Sequence, residues 1–249
     1  MSEAVVVIPA RYGSTRLPGK PLLSLAGKPM IQWVYERASE ISPQIEILVA
    51  TDDQRIADVV HGFGGKAVLT PESIATGSER VGYAVSDIDA DIVVNLQGDE
   101  PLISPEAVAF ALKQMQEDSS ISISTLGTGI NTIEEWQNPA VVKVLIDENG
   151  DAIYFSRAAI PFHRDDDFTP YSGLMRHLGV YLYRKSFLMK YLEWPESPLE
   201  NREKLEQLRI LEKGYRIRVV HTEAFSPGVD TPDDINIVES LLKERGYSK

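Results

Sequence analysis

The chain contains no cysteine. That excludes structural disulfides, thiolate metal sites and cysteine nucleophiles, and with them the disulfide-dense secreted domains. Histidine is scarce. His61, His163, His177 and His221 are scattered and lack the spacing of a zinc site. Long apolar runs are missing as well. The first one, Ala4–Ile8, stops at Pro9. It is too short for the apolar part of a secretion signal and far too short to span a bilayer, so a cytoplasmic protein without a membrane partner is expected. The net charge of −12 is a poor match for nucleic acid or an anionic membrane.

Against that acidic background one stretch has no acid at all. From Ala4 to Tyr35 there is neither Asp nor Glu, although the chain holds 37 of them in 249 residues. The same stretch carries Arg11, Arg16, Lys20 and Lys28. A cationic island in a negative protein suits a small polyanion held in a focused site.

The first half alternates apolar, β-rich runs (Val5–Ile8, Ile45–Val49, Ala67–Leu69, Ile92–Leu96) with helical patterns, Met30, Trp33, Val34, Ala38 and Ile41 being one set and Ile56, Val59, Val60 and Phe63 another. The runs are continuous rather than alternating, as in buried parallel strands with helices on both faces. The second half reads as mixed. Ala140–Ile146 and Ala152–Phe155 make an antiparallel return about Glu148-Asn149-Gly150. His177–Tyr183 and Tyr215–His221 are further strands, and Leu199–Lys213 reads as a helix. Thr231-Pro232-Asp233-Asp234 opens a last helix with Ile235, Val238 and Leu242 inward. One α/β domain over 1–249 is expected, with a nucleotide-binding part over 1–125, a smaller mixed lobe over 126–225, and a C-terminal helix over 231–245 returning to the core.

The loop RYGSTRLPGKP, residues 11–21, follows the first strand directly. It is not a Walker loop: five residues separate Gly13 from Gly19, and Pro21 stands where a magnesium-ligating hydroxyl is required. The dinucleotide fingerprint is absent too. Yet the loop leaves the carboxyl end of a strand, where open α/β sheets bind ligands. Its glycines permit close backbone approach, and Arg16 and Lys20 can reach several oxygens of one polyphosphate. The physical reading is a nucleoside triphosphate on an extended loop, with cations offsetting charge on a pyrophosphate leaving group. Asp99, in QGDEP after the strand Ile92–Leu96, ends a buried strand in the same way. Ser104-Pro105 already caps the next helix, which leaves Asp99 for other work.

IPARYGSTRLPGKPL resembles the N-terminal signature of the sugar-acid cytidylyltransferases. Further matches follow in order: ATGSER at 75–80, NLQGDEP at 95–101, YFSRAAIPF at 154–162, RHLGVY at 176–181, LEQLR at 205–209 and GVDTPDD at 228–234. Pro21 favours the branch that activates 3-deoxy-D-manno-octulosonate (Kdo) over the sialic acid branch. Thr76-Gly77-Ser78 swaps the hydroxyls of the usual pattern, and Asp165–Asp167 has no counterpart and no assigned role.

The resemblance implies a Rossmann-like nucleotidyltransferase fold, mostly parallel with flanking helices and a smaller mixed dimerisation lobe. It implies transfer of CMP from CTP to the anomeric hydroxyl of Kdo, with release of pyrophosphate, for lipopolysaccharide or capsule synthesis. Mg²⁺ would be held by Asp99 and Asp230, oxygen ligands of the kind that ion takes. Lys20 and Arg16 would neutralise the triphosphate. Pro9, Ala10, Arg11, Gly13, Ser14, Ser78, Arg80 and Gln97 would meet the nucleotide. Gln97, Arg157, His177, Tyr181, Glu206 and Gln207 would meet the sugar, and a homodimer is implied. The alternatives are the same fold acting on sialic acid, which Pro21 counts against, or on an amino-substituted Kdo; a nucleotide-sugar binder that kept the fold without the reaction; and a P-loop NTPase, which the loop spacing disfavours.

Overall fold

The computed structural model describes residues 4–13, 17–164, 168–224, 226–229 and 231–247. In chain order the elements are β1 (Ala4–Ala10), a 3-10 turn (Lys20–Leu22), β2 (Ser24–Leu25), β3 (Lys28–Pro29), α1 (Met30–Ser39), β4 (Glu46–Thr51), α2 (Gln54–Gly62), β5 (Ala67–Leu69), α3 (Gly77–Ala84), β6 (Ile92–Asn95) and α4 (Pro105–Glu117). They continue with β7 (Ile123–Gly129), α5 (Ile133–Gln137), β8 (Lys143–Ile146), β9 (Ala152–Ser156), β10 (Leu174–Arg184), α6 (Lys185–Leu192), α7 (Pro198–Glu203), α8 (Leu208–Glu212), β11 (Arg218–His221) and α9 (Pro232–Glu244). The chain divides into two compact units, residues 1–109 with 225–249, and residues 110–224.

The first unit is built on parallel strands in the order β6-β1-β4-β5. Val5–Ile8 and Ile92–Val94 are at most 1% exposed. Burial on both faces is why these strands read as unbroken apolar runs. The chain leaves β1 toward β4 on one side and finds β6 on the other. The carboxyl ends of β1 and β6 therefore flank a switch point, where an open α/β sheet leaves a crevice. α1 buries Met30, Ile31, Trp33, Val34 and Ala38, and the Trp33 indole N–H donates to Leu25 O at 2.7 Å. α9 comes back to this unit: Val229, Val238 and Leu242 share a core cluster with Leu25, Met30, Trp33 and Leu102, and Ile235 packs against it. Its start follows the expected capping arrangement, the Thr231 N–H donating to Asp234 Oδ2 at 2.7 Å.

In the second unit β7 has β11 beside it in parallel and β10 antiparallel. β8 pairs with β10, and β9 returns antiparallel to β8. Gly150 makes that turn with φ +80°, a conformation that costs a glycine nothing. Two features differ from the sequence reading. β7 was not anticipated. The helix expected over Leu199–Lys213 is two helices, because Lys204 takes a left-handed φ of 55° and ends α7. Arg209 and Glu200 then clamp α8 to α7, with Nε–Oε2 2.7 Å and Nη2–Oε1 2.5 Å, both side chains buried. The hydrogen bonds that Arg209 donates to the Glu200 carboxylate raise the guanidinium pKa further above its ordinary value.

Candidate active site

In the first unit the site forms at the ends of β1 and β6. The loop after β1 is closed at its base by Gly19 N–H donating to Tyr12 O at 3.0 Å. Gly19 has φ +69°, and a Cβ there would lie 3.2 Å from the Tyr12 ring. Only glycine meets both demands. The Arg55 guanidinium stacks over the outer face of Tyr12 at 3.4 Å from the ring centroid. Lys20 opens the 3-10 turn, and its ammonium donates to Asp99 Oδ2 at 2.5 Å. Residues 79 apart in sequence are thus brought into one ion pair, with Asp99 still 37% exposed.

Asp99 is held from its backbone. Gly98 lies so close to β1 that a Cβ would come within 2.9 Å of Pro9 O. The Asp99 carbonyl accepts the Val229 N–H at 2.9 Å. Gln97 points its amide back, Nε2 donating to Asn95 Oδ1 at 3.2 Å. The Asn95 Nδ2 is buried without a hydrogen-bond partner among the described residues. Pro9 is half-buried, Ala10 buried, and Arg11 and Gly13 are exposed on the loop. Ser78 is buried at the start of α3, whose cap is Thr76 paired with Glu79. Arg80 is turned inward, 3% exposed, its guanidinium bonded to Thr70 Oγ1, to Asp52 Oδ2 at 2.8 Å and to Ile74 O at 3.2 Å. Ser14, Arg16 and Asp230 lie outside the described residues, as do Asp165–Asp167.

Asp99 offers one partly exposed carboxylate, an oxygen ligand of the kind a hard cation takes; among the described residues no cluster of three or more metal-ligating side chains is present. Magnesium is commonly bound in this way, by one or two carboxylates plus substrate oxygens.

In the second unit His177 and Tyr181 meet with ring centroids 5.3 Å apart, and Phe155 closes the other side of His177 at 5.2 Å. The pairing of β10 with β7 slips between Leu178 and Tyr181. His177 lies opposite Gly127 and Tyr181 opposite Thr125. The strand thus gains two residues across the slip, which preserves the parity that keeps both rings on one face. Thr125 fills the bulge. Its hydroxyl is 2.7 Å from Val180 O, 3.2 Å from Leu178 O and 3.0 Å from His177 Nε2. One hydroxyl has one proton. Given to the nearest carbonyl, it leaves the oxygen to accept from His177 Nε2–H, and Nδ1 becomes an acceptor. Burial pushes the His177 pKa down to about 3, so the imidazole is neutral at physiological pH.

Arg157 follows β9 and is anchored to Glu203, whose carbonyl accepts its Nε–H at 2.9 Å. Glu206 and Gln207 occupy the turn between α7 and α8 rather than a helix. Gln207 is 5% exposed, and its Nε2 is buried with no partner among the described residues. Sequence reasoning missed Asn95, Thr125, Lys143 and Glu203. A signal existed for Lys143, a lone charge in the apolar run Val141–Ile146.

The chain belongs to the cytidylyltransferase family, whose profile matches residues 5–217. Its relatives are narrower. A 3-deoxy-manno-octulosonate cytidylyltransferase of Syntrophotalea carbinolica is 51% identical over 243 residues, 95% of this chain and 97% of that protein. One from Escherichia coli is 45% identical over 98% of each chain. Among solved structures, CMP:2-keto-3-deoxy-manno-octonic acid synthetase complexed with CTP matches with TM-score 0.92 at 44% identity, over 98% of this chain and 100% of that one. The nucleotidyltransferase-type α/β fold expected from the sequence is the fold shared with that structure.

Proposed function

We infer that this chain transfers CMP from CTP to Kdo. The observation that carries the reading is full-length similarity to proteins named for that reaction, one of them solved with CTP. The Lys20–Asp99 pair at the switch point supports it from the geometry.

The anomeric hydroxyl oxygen of the sugar attacks the α-phosphorus of CTP. The bond to the β-phosphate oxygen breaks, pyrophosphate leaves, and the hydroxyl proton passes to solvent. Most of the acceleration in such transfers comes from positioning and charge stabilisation. Lys20 and, in this proposal, Arg16 neutralise the triphosphate. Pro9, Ala10, Arg11, Gly13, Ser14 and Ser78 line the nucleotide, with Gln97 between the two substrates. Arg80 acts from behind, because its guanidinium is committed to Asp52, Thr70 and Ile74. Asp99 would hold Mg²⁺, with Asp230 as the second carboxylate, and that ion supplies charge neutralisation at the phosphates.

Arg157 meets the sugar carboxylate. His177 Nδ1, Tyr181, Glu206 and Gln207 meet its hydroxyls, and the unpartnered buried Gln207 amide supports this. The protein is proposed to act in the cytoplasm as a homodimer through its second unit, where Ile153, Phe162 and Tyr171 are exposed. No helix among the described residues is long and apolar enough to cross a membrane.

The test is pyrophosphate release from each of the four nucleoside triphosphates with magnesium, with and without Kdo. Release that requires CTP and Kdo together is expected. Release only with another acid sugar moves the substrate, and silence with every sugar overturns catalysis. Light scattering tests the dimer separately.

A further inference from the structure

Lys143 lies on β8 and is fully buried. Its ammonium donates to three backbone carbonyls: Asn138 O at 2.8 Å, Val141 O at 2.6 Å and Arg157 O at 2.7 Å. An ammonium has three donors and no acceptor, so its capacity is filled. A buried lysine is costly, and methionine would pack the same space without a charge. What the ammonium adds over methionine is these three bonds, one of them to the main chain of Arg157.

Glu203 grips the same place from the end of α7. Its Oε1 accepts the Ser156 hydroxyl at 2.6 Å and its Oε2 the Arg157 N–H at 2.9 Å. The Glu203 carbonyl takes Arg157 Nε–H, and Pro139 O takes Nη1 at 3.2 Å. Backbone N–H, backbone carbonyl and two guanidinium nitrogens are therefore all fixed. Nη2 has no hydrogen-bond partner among the described residues and remains for a ligand. On the neighbouring strand Arg176 lies opposite Lys143 in the β10 register, with Glu135 3.8 Å from Arg176.

We propose that Lys143 is a positioning residue for the acid sugar: it fixes Arg157 through the carbonyl and adds its own positive charge behind the carboxylate that Arg157 receives. This rests on the reading that Arg157 meets that carboxylate. Burial first, and then the Arg157 charge, lower the Lys143 pKa to about 8, while Glu203 opposes them. The sign follows. Below pH 8 the ammonium is charged and the anchor is complete; as pH rises through 8 a charge and a donor are lost, and sugar binding weakens. CTP binding, in the first unit's loop, does not depend on this anchor.

The experiment is steady-state kinetics from pH 6.5 to 9.5, with each substrate varied in turn. In the unaltered enzyme, KM for Kdo is expected to rise about tenfold with an inflection near pH 8, the scale of one charge-assisted hydrogen bond, while KM for CTP shows no inflection there. Lys143→Met should show the raised Kdo KM already at pH 7 and no further rise. Glu203→Gln removes the charge that holds the Lys143 pKa up, so the inflection should move to lower pH. A flat Kdo profile in the unaltered enzyme, or an inflection that Glu203→Gln leaves in place, overturns the proposal, whether or not Lys143→Met folds. Arg157→Ala separates the two levels. If it leaves Kdo KM unchanged, the carboxylate reading fails and this proposal with it. If it raises Kdo KM while the unaltered enzyme's profile is flat, only the role of Lys143 fails.

Discussion

Replacing Thr125 by valine tests whether the bulge in β10 sets the proton on His177. The two side chains have nearly the same shape, so the change removes a hydroxyl and little volume. Thr125 is fully buried, so no water replaces it easily. The loss leaves Val180 O without the donor at 2.7 Å and His177 Nε2 without the acceptor at 3.0 Å. A buried polar group left unsatisfied costs about 1–3 kcal/mol, so a stability loss of about 2 kcal/mol is expected. For a chain of this size that lowers Tm by roughly 4–8 °C. The functional effect is separate. With Nε2 unpaired the imidazole can carry its proton on either nitrogen, and the Nδ1 acceptor offered to a sugar hydroxyl is no longer fixed. A neutral hydrogen bond is worth about 0.5–1.5 kcal/mol, which corresponds to a rise in Kdo KM of roughly two- to tenfold, with CTP KM unchanged. Kinetics at 25 °C, a thermal melt and the imidazole nitrogen shifts would be measured for Thr125→Val and Thr125→Ser. Serine keeps the hydroxyl and should keep the Nε2–H tautomer. Serine behaving like valine, or valine with unaltered Kdo KM, refutes the assignment.

Asp99→Asn should lower kcat by about 100-fold or more while CTP KM moves by a few-fold, because the carboxylate acts on the reaction more than on holding the nucleotide; equal losses in binding and turnover would contradict that role. Gly98→Ala forces a methyl to within 2.9 Å of Pro9 O and should destabilise the protein by about 1–3 kcal/mol. Because the displaced backbone carries Gln97 and Asp99, turnover should fall further than Tm alone accounts for, and normal kcat in a destabilised variant would rule this out. Arg209→Met strands the buried Glu200 charge and should cost about 3–5 kcal/mol, whereas Glu200→Leu with Arg209→Met should cost less; chemical denaturation distinguishes them.

Much of the first unit was legible because its physics is local. The strands Val5–Ile8 and Ile92–Leu96 announce burial on both faces, and the punctuation Ser104-Pro105 and Thr231-Pro232 marks helix starts where the structure has them. β7 escaped notice because ISTLGTG has only two apolar side chains, Ile123 and Leu126, among small and polar ones; it is strand by virtue of neighbours on both sides, which no local pattern records. The break at Lys204 was hidden for a similar reason. Leu199–Lys213 is rich in good helix formers, and the left-handed Lys204 goes with a Glu200–Arg209 clamp that spans the break and forms only in the folded chain. At the site, motif residues could be named one by one. Their supports could not, since Asn95, Thr125 and Glu203 act through backbone groups and amides that only the folded chain brings near.

The first unit is written in two pieces of chain, with residues 110–224 between them. Its core cluster is incomplete until the second piece arrives: Val229, Val238 and Leu242 supply one wall of the space around Trp33, and the Tyr247 hydroxyl accepts a bond from the buried Arg37 at 2.5 Å. A ribosome therefore releases Lys20 and Asp99 long before the groups that finish their surroundings exist. The intervening unit holds its strands β7 to β11 within one continuous segment. The first unit's strands β1, β4, β5 and β6 all emerge within the first 95 residues, but the cluster around Trp33 waits for the last stretch of the message. Contacts that span more than 200 residues are slow to form, so a growing chain leaves Met30 and Trp33 of α1 without the wall that Val229, Val238 and Leu242 supply for most of its translation. That interval is when this protein is most exposed to aggregation and most dependent on whatever shields nascent chains.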